Sequence, residues 1–463
     1  MACQVDDNLQ RQRLRPARWR HRKLSSRHDA SRSDTPCLTR SIDSLCWLQR
    51  SERALLHHFV SQASGAVIAS RHGQRLFCET LVPLALRNPA LLYATMAFSS
   101  AQMASLRLSV GGAGAVDQTT SKYVGLSLSA SQMQLAHAER GSKASLLATS
   151  LMLCLVSFWS ADANPGVWRA HANGAKAILA SIRQSGALSR SGSNAEFDAM
   201  ITFLSRWYLS LEALTSLTAS GLVTGQCVVR DSALGTITEP ELFILDVCDD
   251  HFSYPTRLAV LLREIGAAAW ERHWQLSSSP AAGTPESVVL TQHDFDLYAD
   301  NLNAALTQIS TAVLDSSGEL AFYPGVREEL SDTDVNGFAA STEAYICMAR
   351  IMIERRIRGL PSTSPTVQAL TRKIIHTVST ITLTPGPSPA GSIGPLLFAA
   401  GCEAVEEADR QAIRDISRDV LSKKRPQCTQ RALPILESIW ARDDPSGRDW
   451  YSYQGLFPIH SLV

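Results

Sequence analysis

Three aspartates in the run Leu245-Asp246-Val247-Cys248-Asp249-Asp250-His251 are the residues whose type and spacing come closest to chemistry. Clustered carboxylates on a helical protein can bind magnesium and so assist ionisation of a diphosphate. Such a site needs a second element carrying Asn, Ser and Glu at helical spacing, and none accompanies it. Asp246, Asp249 and Asp250 therefore read first as a solvated helix end or loop, with a helical enzyme as the alternative.

The other reactive side chains are scattered. His57, His58, His171 and His293 lack the partners that metal or nucleophilic chemistry requires: there is no His-Glu-x-x-His, no Gly-x-Ser-x-Gly and no Gly-x-x-x-x-Gly-Lys-Ser/Thr. His171, close to Trp168, reads as a core histidine. Gly111, Gly112 and Gly114 follow no strand and read as a flexible connection. The ten cysteines contain no Cys-x-x-Cys pair, and Cys154 and Cys347 sit in apolar stretches where a thiol acts as a small hydrophobe. These features imply no catalytic residue, no cofactor, no bound metal and no disulfide framework.

Charge is unevenly placed. The first forty residues hold 10 Lys and Arg against 4 Asp and Glu, while the remainder holds 34 against 39. Within the leader, Arg11, Arg13, Arg15, Arg18, Arg20, Arg22 and Lys23 fall in thirteen positions, interleaved with Trp19 and His21. Such a run can neutralise phosphates or serve as a nuclear import signal; a basic tail without either task is the alternative. Phosphate contact alone does not read bases, so DNA binding by the leader is expected to be weak and sequence-tolerant.

The elements around these residues read as helices. Leu55, Leu56, Phe59 and Val60 share one face; so do Leu92, Met96, Ser99, Met103 and Leu106; so do Tyr345, Ile346, Ala349, Met352, Ile353 and Ile357. Trp168, His171, Ala172, Ala175, Ile178, Leu179 and Ile182 form a fourth stripe, behind a start signal at Asn164-Pro165. A short strand is suggested only at Cys227-Val228-Val229. Residues 144–161 are uncharged and, as a helix, rise roughly 27 Å, near the thickness of a bilayer core. Five Ser and Thr within the run favour a buried core helix, so no membrane partner is expected. Polar and Pro/Gly-rich stretches at 109–121, 185–194, 277–287, 359–366 and 382–394 read as linkers. The expectation is an all-α protein: a basic, disordered leader over 1–44 and an irregular multi-helix domain over 45–463.

Several motifs, in order, resemble the fungal-specific transcription factor domain family. Leu55 to Leu106, with a Pro-containing link at Leu81-Val82-Pro83, is similar to its opening. Leu151-Met152-Leu153-Cys154 followed by Trp168-Arg169-Ala170-His171 and Gly174-Ala175 matches its next block, and Phe203 to Thr218 the one after. Gly394 to Arg410, then Leu436 to Trp440 and Trp450, resembles its C-terminal signature. The resemblance implies an all-α regulatory region of a nuclear transcription regulator, tied to metabolic or secondary-metabolite genes, with other transcription proteins or a second copy of itself as partners. Typical members begin with a six-cysteine zinc cluster. Only Cys3, Cys37 and Cys46 precede the domain here, at spacings that cannot assemble one. Either the 5′ coding sequence is misread, or the protein has lost the module and acts through partners. A helical scaffold that binds no DNA is the remaining alternative.

Overall fold

The computed structural model describes residues 45–108, 118–136, 140–160, 167–184, 195–217, 228–233, 246–277, 290–314, 318–384, 386–423 and 427–442. The chain divides into two units, Met1–Gln49 and Arg50–Val463. The second holds fifteen α-helices among the described residues: α1 Arg50–His58, α2 Arg71–Arg87, α3 Pro89–Leu108, α4 Gln118–Leu135, α5 Arg140–Trp159, α6 Val167–Gln184, α7 Ala195–Ser216, α8 Val228–Ala233, α9 Thr256–Ser277, α10 Gln292–Ala312, α11 Asp332–Met352, α12 Pro365–Ser379, α13 Gly394–Glu403, α14 Glu407–Lys423 and α15 Gln427–Trp440. The strands are β1 Cys248–Asp249 and β2 Tyr254–Pro255, an antiparallel pair in which Asp249 faces Tyr254. The chain is all-α in class, as its apolar spacing predicts.

Local chemistry explains the helix starts. Asn88 accepts from the Leu91 amide at 3.1 Å and Pro89 opens α3, where a missing N–H costs nothing. Thr291 with Asp294, and Ser331 with Asp334, form reciprocal capping boxes on α10 and α11. The expected start at Asn164-Pro165 lies outside the described residues.

Packing decides the rest. Helix α3 lies against α4 and α5, α5 against α6, α7 against α9, and α11 against α12. A continuous apolar core contributed by α7 to α15 runs from Leu209 to Trp440. All six residues of the Tyr345–Ile357 stripe are buried. Helix α5 is the buried core helix expected over 144–161. Its Thr149, Ser150 and Ser157 hydroxyls donate to carbonyls one turn back, at 2.6 to 3.0 Å. Among the described residues no helix is long and apolar enough to cross a membrane.

Several expectations need correction. Val60 is exposed: it lies in the π turn Phe59–Ala63, closed by the Ser64 amide on the Phe59 carbonyl, and five residues on from Leu55 it stands about 140° around the helix from it. Val228 and Val229 begin α8 instead of a strand: the Glu271 carboxylate accepts from the Val229 amide at 2.9 Å and the Arg230 amide at 3.3 Å, a cap supplied from α9. Pro83 lies inside α2 and not in a link. Of the five predicted linkers, 109–121 yields its last four residues to α4, and 382–394 is partly core, with Ser388, Pro389 and Ala390 buried. Within 359–366, Gly359 adopts φ 77°, which a side chain would strain, and its would-be Cβ would sit 2.6 Å from the Arg272 guanidinium.

Candidate functional site

The aspartate cluster is a buried polar hub built on the β1–β2 hairpin. Ser253, at φ 69°, turns the chain between the two strands. Asp249 is fully buried and Asp250 nearly so, which corrects the expectation of a solvated loop. The Arg206 guanidinium on α7 donates through Nε to Asp249 Oδ2 at 2.8 Å and through a second nitrogen to the same oxygen. The Tyr323 ring covers that guanidinium at 4.2 Å. The other Asp249 oxygen accepts from the His251 amide at 2.9 Å. Asp250 turns the opposite way. It accepts from Ser70, the N-cap of α2, at 2.6 Å, and pairs with His72 Nδ1 at 2.9 Å. Asp246 is half-exposed and meets Arg257 at 3.2 Å.

Each carboxylate therefore has its own counter-group, and the three do not converge. Among the described residues no set of three His, Cys, Asp or Glu side chains is placed to hold a metal ion. The hub joins elements instead. The Ser210 and Tyr254 hydroxyls bond at 2.6 Å, Ser253 bonds Ser341 of α11 at 2.7 Å and also reaches Ser392, and the Tyr254 and Tyr345 rings lie 4.4 Å apart. His251 sits among Phe77, Phe203, Trp207 and Phe252. Burial drives its pKa down to about 3, with Asp249 opposing and Arg206 reinforcing the shift. Burial also pushes the Cys248 thiol up. For Arg206, burial lowers the pKa and is the largest single influence, but the charge and hydrogen bond of Asp249, with Tyr323 and Asp250, together outweigh it and the group is held more firmly protonated.

A second polar cluster, invisible to motif reading, lies where α11 runs into the π turn Ile353–Ile357. Three consecutive charged residues are withdrawn from water there. Glu354 accepts from Arg358 at 3.0 Å and from Asn303 of α10 at 3.4 Å. Arg355 donates to Glu403 of α13 at 2.7 Å, and Arg356 donates to the Leu217 carbonyl just beyond α7. Glu403 also accepts from Ser362 at 2.5 Å. No spacing rule marks this site, because an extra residue in one turn aims the three side chains at three helices.

The remaining candidates fall apart in space. His57 and His293 are exposed; His58 Nε2 lies 2.5 Å from Gln102 Oε1. His171 is only partly buried, not a core residue, and desolvation lowers its pKa. Cys154, Cys248, Cys347 and Cys402 are buried free thiols, Cys78 is half-buried and Cys46 exposed. Arg11, Arg13, Arg15, Arg18, Arg20, Arg22 and Lys23, like Gly111 to Gly114, lie outside the described residues.

The C-terminal block is a packing unit. Helix α13 is buried along its whole length. A Cβ on Gly401 would stand 2.5 Å from Leu436 of α15, so only glycine admits that crossing. The Trp440 indole N–H donates to the Gly401 carbonyl at 2.8 Å, while Arg414 of α14 lies 4.8 Å from the Trp440 ring centre and pairs with Glu437.

Among the described residues, the buried charges of this helical body join one element to another. The family description "Fungal specific transcription factor domain" matches residues 54–456, and the chain belongs to that family. Membership implies a transcription regulator, in a family that is typically non-enzymatic. Neither the curated proteins nor the solved structures yield a match.

Proposed function

We propose that this protein regulates transcription in the nucleus by binding other proteins through its helical domain, residues 45–463. The observation that carries the reading is the family match over 54–456. The paired carboxylates of the hairpin support it, since they favour architecture over catalysis. The gene set it serves is metabolic or secondary-metabolic, as the resemblance implies. The leader supplies weak, sequence-tolerant contact to DNA through Arg11, Arg13, Arg15, Arg18, Arg20, Arg22 and Lys23.

Tethering residues 45–463 to a heterologous DNA-binding domain should change expression from a reporter carrying its site. A reporter that does not respond, together with an unchanged transcript profile on deleting the gene, removes this function. For the leader, duplex binding by the full chain should fall by a few powers of ten between low and moderately high salt, and a chain starting at Ser44 should lose it. Equal binding by the shortened chain would transfer DNA contact to the helical body.

A further inference from the structure

Arginines elsewhere in the helical body, such as Arg75, Arg206 and Arg355, are held by carboxylates. Arg50, Arg53 and Arg71 are not: all three are exposed, and no carboxylate among the described residues pairs with them. Arg50, Arg53 and His57 project from one side of α1, within about 60° of arc, while Glu52, the one carboxylate of that helix, lies on the other side and is half-buried. Arg71 opens α2 beside the end of α1. Gln74, in the same turn, donates to the Val60 carbonyl at 3.3 Å and to the Ser64 hydroxyl at 2.8 Å, which fastens the start of α2 to the π turn that follows α1. All three arginines fall in a first helical turn, where the macrodipole favours carboxylates and disfavours cations. Helix formation alone gives no reason for them.

We infer that Arg50, Arg53 and Arg71 contact the phosphate backbone of duplex DNA, with His57 as a further hydrogen-bonding group. The inference rests on the DNA contact proposed for the leader and extends it to the helical body, where an acidic balance of 34 against 39 hides a local basic patch. The chemistry of the face selects this partner. Around the cations stand exposed Ser51, Ala54 and Ser61, with Val60 as the large apolar side chain. An acidic peptide needs apolar anchors seated in pockets as well as charge, whereas a phosphate backbone needs only cations and donors. A duplex is also a long, uniform polyanion, so one molecule of it can meet both the leader and α1, which a small anion cannot. Three charges hold a duplex too weakly for a chain without its leader to bind, so α1 adds to the leader's contact and does not replace it.

The measurement is duplex affinity of the full chain against salt, for wild type and for the combined substitution Arg50→Gln, Arg53→Gln and Arg71→Gln. Each phosphate contact contributes about 0.9 to the slope of log affinity on log salt, so the glutamine chain should lose about 2.7 from it. Its circular dichroism and thermal midpoint should match wild type, since the three side chains are exposed. Lysine at the same positions should keep the slope, because neutralising phosphate needs the charge and not the guanidinium. An unchanged slope in the glutamine chain overturns the inference and leaves the leader's contact standing; a wild type that binds no duplex at any salt overturns both. If lysine loses the slope as fully as glutamine does, the arginines serve the fold and the inference falls. Polyglutamate captured by the wild type and not by the glutamine chain, with duplex binding equal in the two, makes the partner an acidic protein and overturns it as well.

Discussion

The hairpin hub and the π-turn junction both bury charge between helices, but they distribute it differently. At the hairpin the sequence supplies a run of one sign, Asp249-Asp250, and every side-chain partner comes from afar: Arg206 lies 43 residues away, His72 178 and Ser70 180. At the junction the run Glu354-Arg355-Arg356 mixes signs. Arg358 pairs with Glu354 one turn on, and Arg355 has the Leu360 carbonyl as a second acceptor. A single-sign cluster must draw its cation from a tertiary partner, whereas a mixed cluster can be re-partnered locally when one member is lost. The hairpin should therefore be the more brittle of the two.

The largest effect is expected from Arg206→Leu. It strands the fully buried Asp249 without a cation, and breaking a buried pair from one side costs about 3–5 kcal/mol. Urea unfolding should show the loss as a lower midpoint with an unchanged slope. Adding Asp249→Asn should recover part of it, since no unpaired charge then remains. A loss below about 1 kcal/mol would mean that water reaches Asp249, and would erase the distinction between the clusters.

What the sequence could and could not announce follows from the same distances. Stripes within one helix, such as Tyr345 to Ile357, are local patterns, and their burial was legible. The aspartates were legible as a cluster but not as a buried one, because Arg206, Ser70 and His72 have no sequence relation to them. Val60 and Val228 failed for separate reasons: the first stands about 140° around the helix from Leu55, and the distant Glu271 capped the helix that begins at the second. The C-terminal block was legible as a family signature, while its physical content, Leu436 lying against a bare Gly401, needed the crossing of two helices.

The next effect depends on pH. Buried His251 has its pKa lowered to about 3, below the ordinary value of 6.5 for the unfolded chain. Between those values the unfolded state binds the proton and the folded state does not. Stability from this group is thus complete above about 6.5 and falls as pH drops toward 3, by up to about 1.4 kcal/mol per unit. His251→Leu removes that proton while keeping an apolar side chain among Phe77, Phe203 and Trp207. Stability of the variant should match or exceed wild type at pH 7 and decline less steeply between pH 6.5 and 5. Parallel decline of the two chains would show that His251 already holds its proton when folded, and would weaken the picture of a dry hairpin.

The smallest effect is expected at the junction, from Glu403→Gln. Glu403 is fully buried and takes hydrogen bonds from Arg355 and Ser362, so an apolar replacement would remove the oxygen that both share. Glutamine keeps a carbonyl oxygen that can accept them, removes the charge and replaces the other oxygen with an amide NH2. Arg355 retains the Leu360 carbonyl, and the Gln368 amide still donates to the Glu403 backbone carbonyl, which the substitution leaves in place. The cost should be that of exchanging a charge-assisted hydrogen bond for a neutral one, about 1–2 kcal/mol, well under that of Arg206→Leu. The two variants belong in one urea series at pH 7, where both carboxylates are compared under the same solvent conditions. If Glu403→Gln destabilises as much as Arg206→Leu, mixed-sign clusters are no more forgiving than single-sign ones. The ranking must then rest on depth of burial alone.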